Sequence, residues 1–147
     1  EVSDEYKTKV AKGGVASVTD LSGDSYQKHI CDTLTAGDGH CDASIVEMVV
    51  TKGPERVREL MSWDTHFDKG KNGRLALGRE GGHSEHRIIH HKDSTGHEIE
   101  RALLNQVCQR PNITVFKHHF AIDLITEHQI HGSKQSIPTC YGAYLPV

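Results

Sequence analysis

The stretch TGHEIERALLNQVCQRPNITVFKHHFAIDLIT, residues 95–126, decides the fold class because a helix pattern is followed by a strand pattern. Thr95 and Glu98 are spaced as a capping box, in which each side chain accepts a hydrogen bond from the other residue's backbone N–H. Apolar residues then recur at helical spacing, at Ile99, Ala102, Leu103 and Val107. Pro111-Asn112 ends the helix, and the branched and aromatic residues from Ile113 to Thr126 predict a strand that packs against it. This order favours an α/β layer architecture.

Two helices are predicted upstream of this stretch from their capping residues. Asp24 or Ser25 can cap a helix that runs to about Ala36, and Gly37 supplies its end. Asp42 can cap a second helix. The apolar face expected for that second helix consists of Ile45, Val46, Val49 and Val50.

Gly53-Pro54 interrupts the helical pattern and predicts a third helix. Pro54 suits the first position of a helix, where its missing N–H costs nothing. The buried stripe expected for this helix is Val57, Leu60 and Met61. After a turn-rich segment, Leu75-Ala76-Leu77 predicts a short strand.

Composition argues against several classes of function. Twenty acidic against seventeen basic residues in a chain of 147 argue against a nucleic-acid-binding module, which carries a clustered basic face. No apolar run approaches the ~20 residues needed to span a bilayer, so no membrane partner is expected. The four cysteines form no CxxC pair, and no secretory leader opens the chain, so we expect reduced thiols in a cytosolic protein.

The length fits one domain, and the abrupt ends predict truncation on both sides.

The polar segment Arg79-Glu80-Gly81-Gly82-His83-Ser84 is the strongest candidate for a binding site. Paired glycines let the backbone approach a ligand closely. Charged and imidazole side chains on either side can hold a zwitterion, with Glu80 binding an ammonium and Arg79 or His83 binding a carboxylate. The competing interpretation is a polar loop with an ordinary ion pair, in which Glu80 pairs with Arg79 or Arg87.

Histidines are frequent, with twelve in the chain, and four of them lie close together at His83, His86, His90 and His91. On a helix the first three would share one face, a spacing that resembles metal ligands. No HExxH motif is present, so surface or hydrogen-bonding histidines are favoured and no metal site is expected. His118 and His119 are adjacent on the predicted strand and would point to opposite faces.

The segment Ala11-Lys12-Gly13-Gly14-Val15-Ala16 contains a second glycine pair. Its backbone N–H groups could cradle a flat ring or a phosphate. By itself a Gly-Gly pair is most often only a turn.

Taken together in order, these segments resemble the succinate dehydrogenase and fumarate reductase flavoprotein family. Residues 11–16 resemble its AQGG(I/V)A segment, and residues 29–41, HICDTLTAGDGHC, resemble an H-x-x-DT-x-x-AG-x-x-x-C stretch. The most specific element is Arg79 to Ser84, which separates the aspartate-oxidising branch from its dehydrogenase and reductase relatives. Further matches are Gly53 to Leu60, Arg87 to His90, Asp93 to Ile99 and Phe116 to Thr126, so the resemblance covers nearly the whole chain.

The resemblance implies FAD as the cofactor. The residues implied to line the flavin side are Thr8, Ala11, Gly13 and Gly14, and those on the adenine side are Phe120 and Ala121. The family's GxGxxG fingerprint, which sets the FAD pyrophosphate on a helix N-terminus, is absent. We therefore expect an α/β chain that is part of a Rossmann-like FAD-binding domain lacking its first β-α-β dinucleotide unit. By itself the chain should bind FAD weakly or not at all and be inactive. Lys12 stands where the family usually has glutamine.

The implied activity of the parent protein is FAD-dependent oxidation of L-aspartate to iminoaspartate in de novo NAD synthesis. Oxygen or fumarate would accept the electrons, and quinolinate synthase is an implied partner. Glu80 matches the carboxylate that recognises the substrate's amino group, with Arg79 and His83 beside it. No catalytic residue is assigned to this segment, because the later capping-domain residues of the family lie outside it. The expected location is the cytoplasm, or the plastid in a plant.

Two alternatives remain from the sequence. A fumarate reductase or succinate dehydrogenase flavoprotein is disfavoured by the Arg79–Ser84 element. A non-catalytic fragment or a His-rich metal-binding fold belongs to another class of protein. A strand followed by GxGxxG upstream would favour the flavoenzyme over that second alternative.

Overall fold

The computed structural model describes residues 11–132 and 139–146. The chain divides into two compact units, Glu1–Arg110 and Pro111–Val147, called the first and second units below. The prediction that residues 1–147 belong to one partial domain stays a prediction, as does the predicted packing of the helix after Thr95 against residues 113–126. None of the described helices is both long enough and apolar enough to cross a membrane.

The first helix of the first unit follows its sequence signals closely. Helix α1 spans Tyr26–Ala36, and the Ser25 side chain caps it by accepting a hydrogen bond from the Lys28 N–H at 3.1 Å. Gly37 ends the helix, and its N–H donates to Thr33 O at 3.0 Å. The predicted bounds are therefore confirmed, with Ser25 rather than Asp24 as the cap.

Helix α2 spans Ala43–Ser62 without a break, so the prediction of separate second and third helices is wrong. Asp42 caps it as predicted, accepting from Ser44 N at 2.9 Å and Ile45 N at 3.3 Å. Pro54 lies inside the helix and is buried. Much of the clash between a proline and the residue before it involves that residue's Cβ, which Gly53 lacks. Burial of Pro54 between Val50 and Val57 then offsets the lost backbone hydrogen bond.

The apolar residues of α2 are only partly buried. Val50 and Val57 are buried, whereas Ile45 and Val49 are more than half exposed. Of the four residues expected on the apolar face, only Val50 is buried, and it lies in a row with Pro54 and Val57. Leu60 packs on the core, and Met61 lies at its exposed edge.

Three short strands form the antiparallel sheet of the first unit: β1 (Val15–Ala16), β2 (Leu77–Gly78) and β3 (Ile88–Ile89). Their order is β1-β3-β2, and Ile89 pairs with Val15 on one side and Leu77 on the other. The predicted strand at residues 75–77 is shifted, because Leu75 forms only an isolated bridge with Lys69. The buried core consists of Val57, Phe67 and Ile89, with Val15, Leu60, Leu75, Leu77 and Ile99 packed around it.

Helix α3 spans Thr95–Cys108, which confirms the helix but not its capping box. Ser94 is the N-cap and makes no side-chain cap hydrogen bond. The buried Thr95 hydroxyl accepts from His91 N at 3.1 Å, and the Glu98 carboxylate accepts from His66 N at 2.7 Å. Glu98 also pairs with Arg101 at 2.8 Å. Both side chains are thus engaged by other partners, and the ion pair with Arg101 adds a charge-assisted bond that the box would not supply, so the predicted box does not form.

The second unit contains β4 (Asp123–Thr126), α4 (Glu127–His131) and β5 (Cys140–Tyr144). The two strands pair antiparallel, from Asp123 with Tyr144 to Thr126 with Cys140. The predicted strand from residue 113 is therefore reduced to its last four residues. His118 has a φ of +60°, in the left-handed region, so the chain turns there and cannot continue as a strand.

Candidate functional site

A buried arginine joins α1 to the segment that carries the candidate binding residues. The Arg87 side chain is fully buried immediately before β3. Its Nε and Nη2 donate to the two oxygens of Asp24 at 2.8 and 2.7 Å. Its Nη1 donates to Asp32 Oδ2, and Asp32 lies inside α1. The buried guanidinium therefore has both carboxylates as hydrogen-bonded partners, as a buried charge requires.

Asp32 also holds the candidate loop directly. We call residues 79–86 the polar loop. The Asp32 Oδ2 atom accepts from the Ser84 N–H and from the Ser84 hydroxyl, both at 2.8 Å. His83 Nδ1 lies 3.2 Å from Arg87 Nη1, and the His83 ring lies against the His29 ring with centroids 5.6 Å apart. The polar loop is thus attached to α1 at its C-terminal end.

Electrostatics favour the charged forms within this attachment. Burial acts to raise the pKa of Asp32, but hydrogen bonds from Ser84 and Arg87 outweigh it and hold the pKa at about 2. The hydrogen bonds to Asp24 raise the pKa of Arg87 well above its usual range. Burial lowers the pKa of His29, and the charge of Arg87 adds to this effect. The attachment is therefore ionic at neutral pH, with a neutral histidine beside it.

The polar loop presents Glu80 to solvent. Glu80 is exposed, and its backbone oxygen accepts from His83 N at 3.2 Å to close a turn. Gly82 follows with a φ of +81°, a conformation that favours glycine. Among the residues described, the Glu80 carboxylate makes no hydrogen bond or ion pair. Its carboxylate is therefore available to a ligand.

The competing ion-pair interpretation of Glu80 does not fit this geometry. Arg79 directs its Nε to His83 O at 3.1 Å, within the loop. Arg87 is occupied by Asp24 and Asp32. Neither arginine pairs with Glu80 in the structure. Arg79, Glu80 and His83 are thus brought together on one loop, as the sequence predicts.

The two glycines of the segment 11–16 have different surroundings. A Cβ on Gly14 would collide with the Ile88 side chain and the Ile89 backbone, so the loop lies directly on β3. A Cβ on Gly13 would meet nothing within 4 Å. Ala11 O accepts from Gly96 N at 3.2 Å, which ties the loop to the start of α3.

These surroundings bear on the fit of a flavin. Gly14 serves the protein's own packing, whereas the open backbone at Gly13 suits a flat ring laid against the loop. Thr8 lies outside the described residues. In the second unit, Phe120 is 73% exposed, and Ala121 is also exposed. The aromatic face of Phe120 is therefore free to meet a flat group.

The histidines do not share a helical face. Residues 83–87 form no helix, and β3 follows at Ile88. His90 Nδ1 instead lies 3.1 Å from Asp68 Oδ2. Within the ranges 11–132 and 139–146, no group of three or more His, Cys, Asp or Glu side chains is arranged to hold a metal ion.

The sequence pattern does not indicate that Asp24 and Asp32 bind Arg87. It marks Asp24 only as a candidate helix cap. A signal existed, because Arg87 directly precedes the apolar pair Ile88-Ile89, and a charged residue at the edge of a buried strand needs partners. Nothing in the local pattern says that those partners lie 63 and 55 residues away.

The fold is that of an FAD-binding flavoprotein domain. Residues 2–146 match the profile of the FAD binding domain family, and the chain belongs to that family, whose cofactor is FAD. Among solved structures, an E. coli quinol fumarate reductase chain is similar, with a TM-score of 0.76 and 29% identity over 82% of this chain and 20% of that one.

Among curated proteins, the similar relatives are aspartate oxidases. The chloroplastic L-aspartate oxidase of Arabidopsis thaliana is 54% identical over 122 residues, 83% of this chain and 19% of the relative. The L-aspartate oxidase of Vibrio cholerae is 40% identical over 146 residues, 96% of this chain and 26% of the relative. The chain thus spans between a fifth and about a quarter of the length of these relatives.

Proposed function

We propose that the protein containing this chain is an FAD-dependent oxidase that converts L-aspartate to iminoaspartate. The observation that carries the proposal is the exposed carboxylate of Glu80, left without an arginine partner because Asp24 and Asp32 occupy Arg87. An exposed carboxylate on a loop anchored to the protein suits the ammonium group of an amino acid. Identities of 40–54% to proteins named L-aspartate oxidase support the same substrate.

The residues of this chain bind and orient substrate. Glu80 accepts hydrogen bonds from the substrate ammonium, while His83 and the terminal nitrogens of Arg79 lie on the same loop to meet a carboxylate. When bound, FAD would supply the redox chemistry as the acceptor of a hydride from the substrate, with a proton leaving the substrate nitrogen, and oxygen or fumarate would be the final electron acceptor.

The proposed cofactor contacts are Ala11, Gly13 and Gly14 on the flavin side, together with Thr8, and Phe120 and Ala121 on the adenine side. The absence of GxGxxG from the sequence supports the proposal that the first β-α-β dinucleotide unit lies outside this chain. The product places the enzyme in NAD synthesis, with quinolinate synthase as the proposed partner. We propose a plastid location in a plant and the cytoplasm in a bacterium.

A second candidate is the flavoprotein of a fumarate reductase or succinate dehydrogenase. The similarity to the solved quinol fumarate reductase favours it. Its substrates lack an ammonium, so it gives the free Glu80 carboxylate no role. A non-catalytic fragment or a metal-binding fold has no comparable support.

The full-length protein, purified with FAD, separates these candidates. Oxidation of L-aspartate would be followed by flavin reduction under anaerobic conditions, beside succinate at equal concentration. We expect L-aspartate to reduce the flavin and succinate to do so far more slowly. Rapid reduction by succinate without reduction by L-aspartate would assign the protein to the sister enzymes.

A further inference from the structure

The polar loop has few attachments other than those to α1. Arg79, Glu80, Gly81, Gly82 and Ser84 are all exposed. A loop of exposed residues with two glycines needs an external contact to hold one conformation. Two side chains of α1 supply that contact. Lys28 pairs with Glu85 at 2.6 Å, and the single oxygen Oδ2 of Asp32 binds both donors of Ser84 as well as Arg87.

Asp24 provides an internal comparison for Asp32. Both carboxylates bind Arg87, and Asp24 does so with two hydrogen bonds. Asp24 makes no hydrogen bond to the polar loop among the residues described; its other contact is the Ser25 N–H at 2.7 Å. The two aspartates thus share the pairing with Arg87, and of the two only Asp32 also binds the polar loop among the residues described.

We propose that Asp32 is a positioning residue for substrate recognition, which holds the polar loop on α1 so that Glu80 meets the substrate's ammonium group. The inference rests on the proposed function. It assigns to Asp32 no contact with the substrate. Since Glu80 lies four residues from Ser84, release of Ser84 lets the carboxylate move away from a fixed position. Small displacements of a binding group lower recognition steeply.

The test compares Asp32→Asn with Asp24→Asn in the full-length protein with FAD. For Asp32→Asn we expect the KM for L-aspartate to rise about tenfold, with a much smaller change in KM for fumarate, which has no ammonium. For Asp24→Asn we expect lower thermal stability and equal changes for the two substrates. Ser84→Ala keeps the Arg87 pairs intact and should raise the KM for L-aspartate by a smaller factor. This variant replaces Asp32→Asn in the comparison if Asp32→Asn does not fold.

Amide hydrogen exchange gives a readout that does not depend on the activity. The Ser84 amide should exchange faster in Asp32→Asn than in Asp24→Asn. Equal exchange in the two variants, or equal KM changes for both substrates, would overturn the positioning role. Failure of the unmodified protein to oxidise L-aspartate would instead overturn the proposed function. The exchange result would then test by itself whether Asp32 holds the polar loop on α1.

Discussion

The glycine segment 11–16 includes strand β1, and the polar loop 79–86 connects β2 to β3 of the same sheet. The two segments are held in place by different interactions. Gly14 is fixed by close steric contact with Ile88 and Ile89, and Ala11 by one backbone hydrogen bond. The polar loop is fixed by the carboxylate of Asp32, the charge of Arg87 and the ion pair between Lys28 and Glu85. The proposed cofactor contact thus depends on shape and the proposed substrate contact on charge. The two segments should therefore respond differently to mutation and to pH.

The largest effect is expected from breaking the ionic attachment at its centre. Arg87→Met removes the only cation among the described residues that pairs with Asp24 and leaves that carboxylate buried. We expect the free energy of unfolding to fall by about 3–5 kcal/mol. Urea denaturation of the full-length protein measures the loss. Arg56→Met is the matched control, because Arg56 forms exposed pairs on α2 and should cost no more than about 1 kcal/mol.

Steric contact at the glycine segment should give the next largest effect. Gly14→Ala introduces a Cβ that collides with backbone as well as side chain of β3, and overpacking of this kind costs about 1–3 kcal/mol. Gly13→Ala enters open space and should change stability by less than about 0.5 kcal/mol. Comparable losses in the two variants would contradict the close approach of residue 14 to β3.

The pH dependence of the unfolding free energy should report on the ionic attachment of the polar loop. The folded-state pKa of Asp32 is lowered from 3.8 to about 2, so its contribution is complete above about pH 4 and is lost as the pH falls towards 2. The shift corresponds to about 2 kcal/mol. Urea denaturation between pH 5 and pH 3 should show a steeper loss for the unmodified protein than for Asp32→Asn. Glu98, whose pKa is also held at about 2, contributes equally to both proteins and cancels in the difference.

The smallest effect concerns the start of α3, which supports the glycine segment through Gly96 N. Thr95→Ala removes a buried hydroxyl that accepts from His91 N, and we expect a loss of about 1 kcal/mol. The cause is this loop contact and not a helix cap. Ser94→Ala, at the N-cap without a side-chain bond, should cost less. A larger loss for Ser94→Ala, measured by urea denaturation, would restore the capping explanation.

Local chemistry explains which elements could be predicted from the sequence. Ser25 and Gly37 bound α1, and Asp42 begins α2, because caps are satisfied by backbone groups within a few residues. The Arg79–Ser84 cluster could be predicted because all its members lie on one short loop.

The wrong predictions concern residues whose conformation or partners depend on distant parts of the chain. Pro54 continues a helix because it is buried with Val50 and Val57, and periodicity does not encode that burial. The Glu98 side chain leaves its predicted box for His66 N, 32 residues earlier in the chain. Arg87 likewise binds two aspartates far upstream, Asp32 within α1 and Asp24 just before it. Sequence patterns describe neighbours along the chain, whereas these choices depend on which segments meet after folding.

The central claim, that Glu80 recognises the substrate's ammonium, is tested most directly by Glu80→Gln in the full-length protein with FAD. The substitution keeps the shape and removes the charge, so kcat/KM for L-aspartate should fall roughly tenfold to hundredfold, or about 1.5–3 kcal/mol. Fumarate reduction should change much less, and Glu47→Gln, on an exposed part of α2, should alter neither reaction. Equal losses for L-aspartate and fumarate in Glu80→Gln would contradict the claim and assign Glu80 to holding the loop.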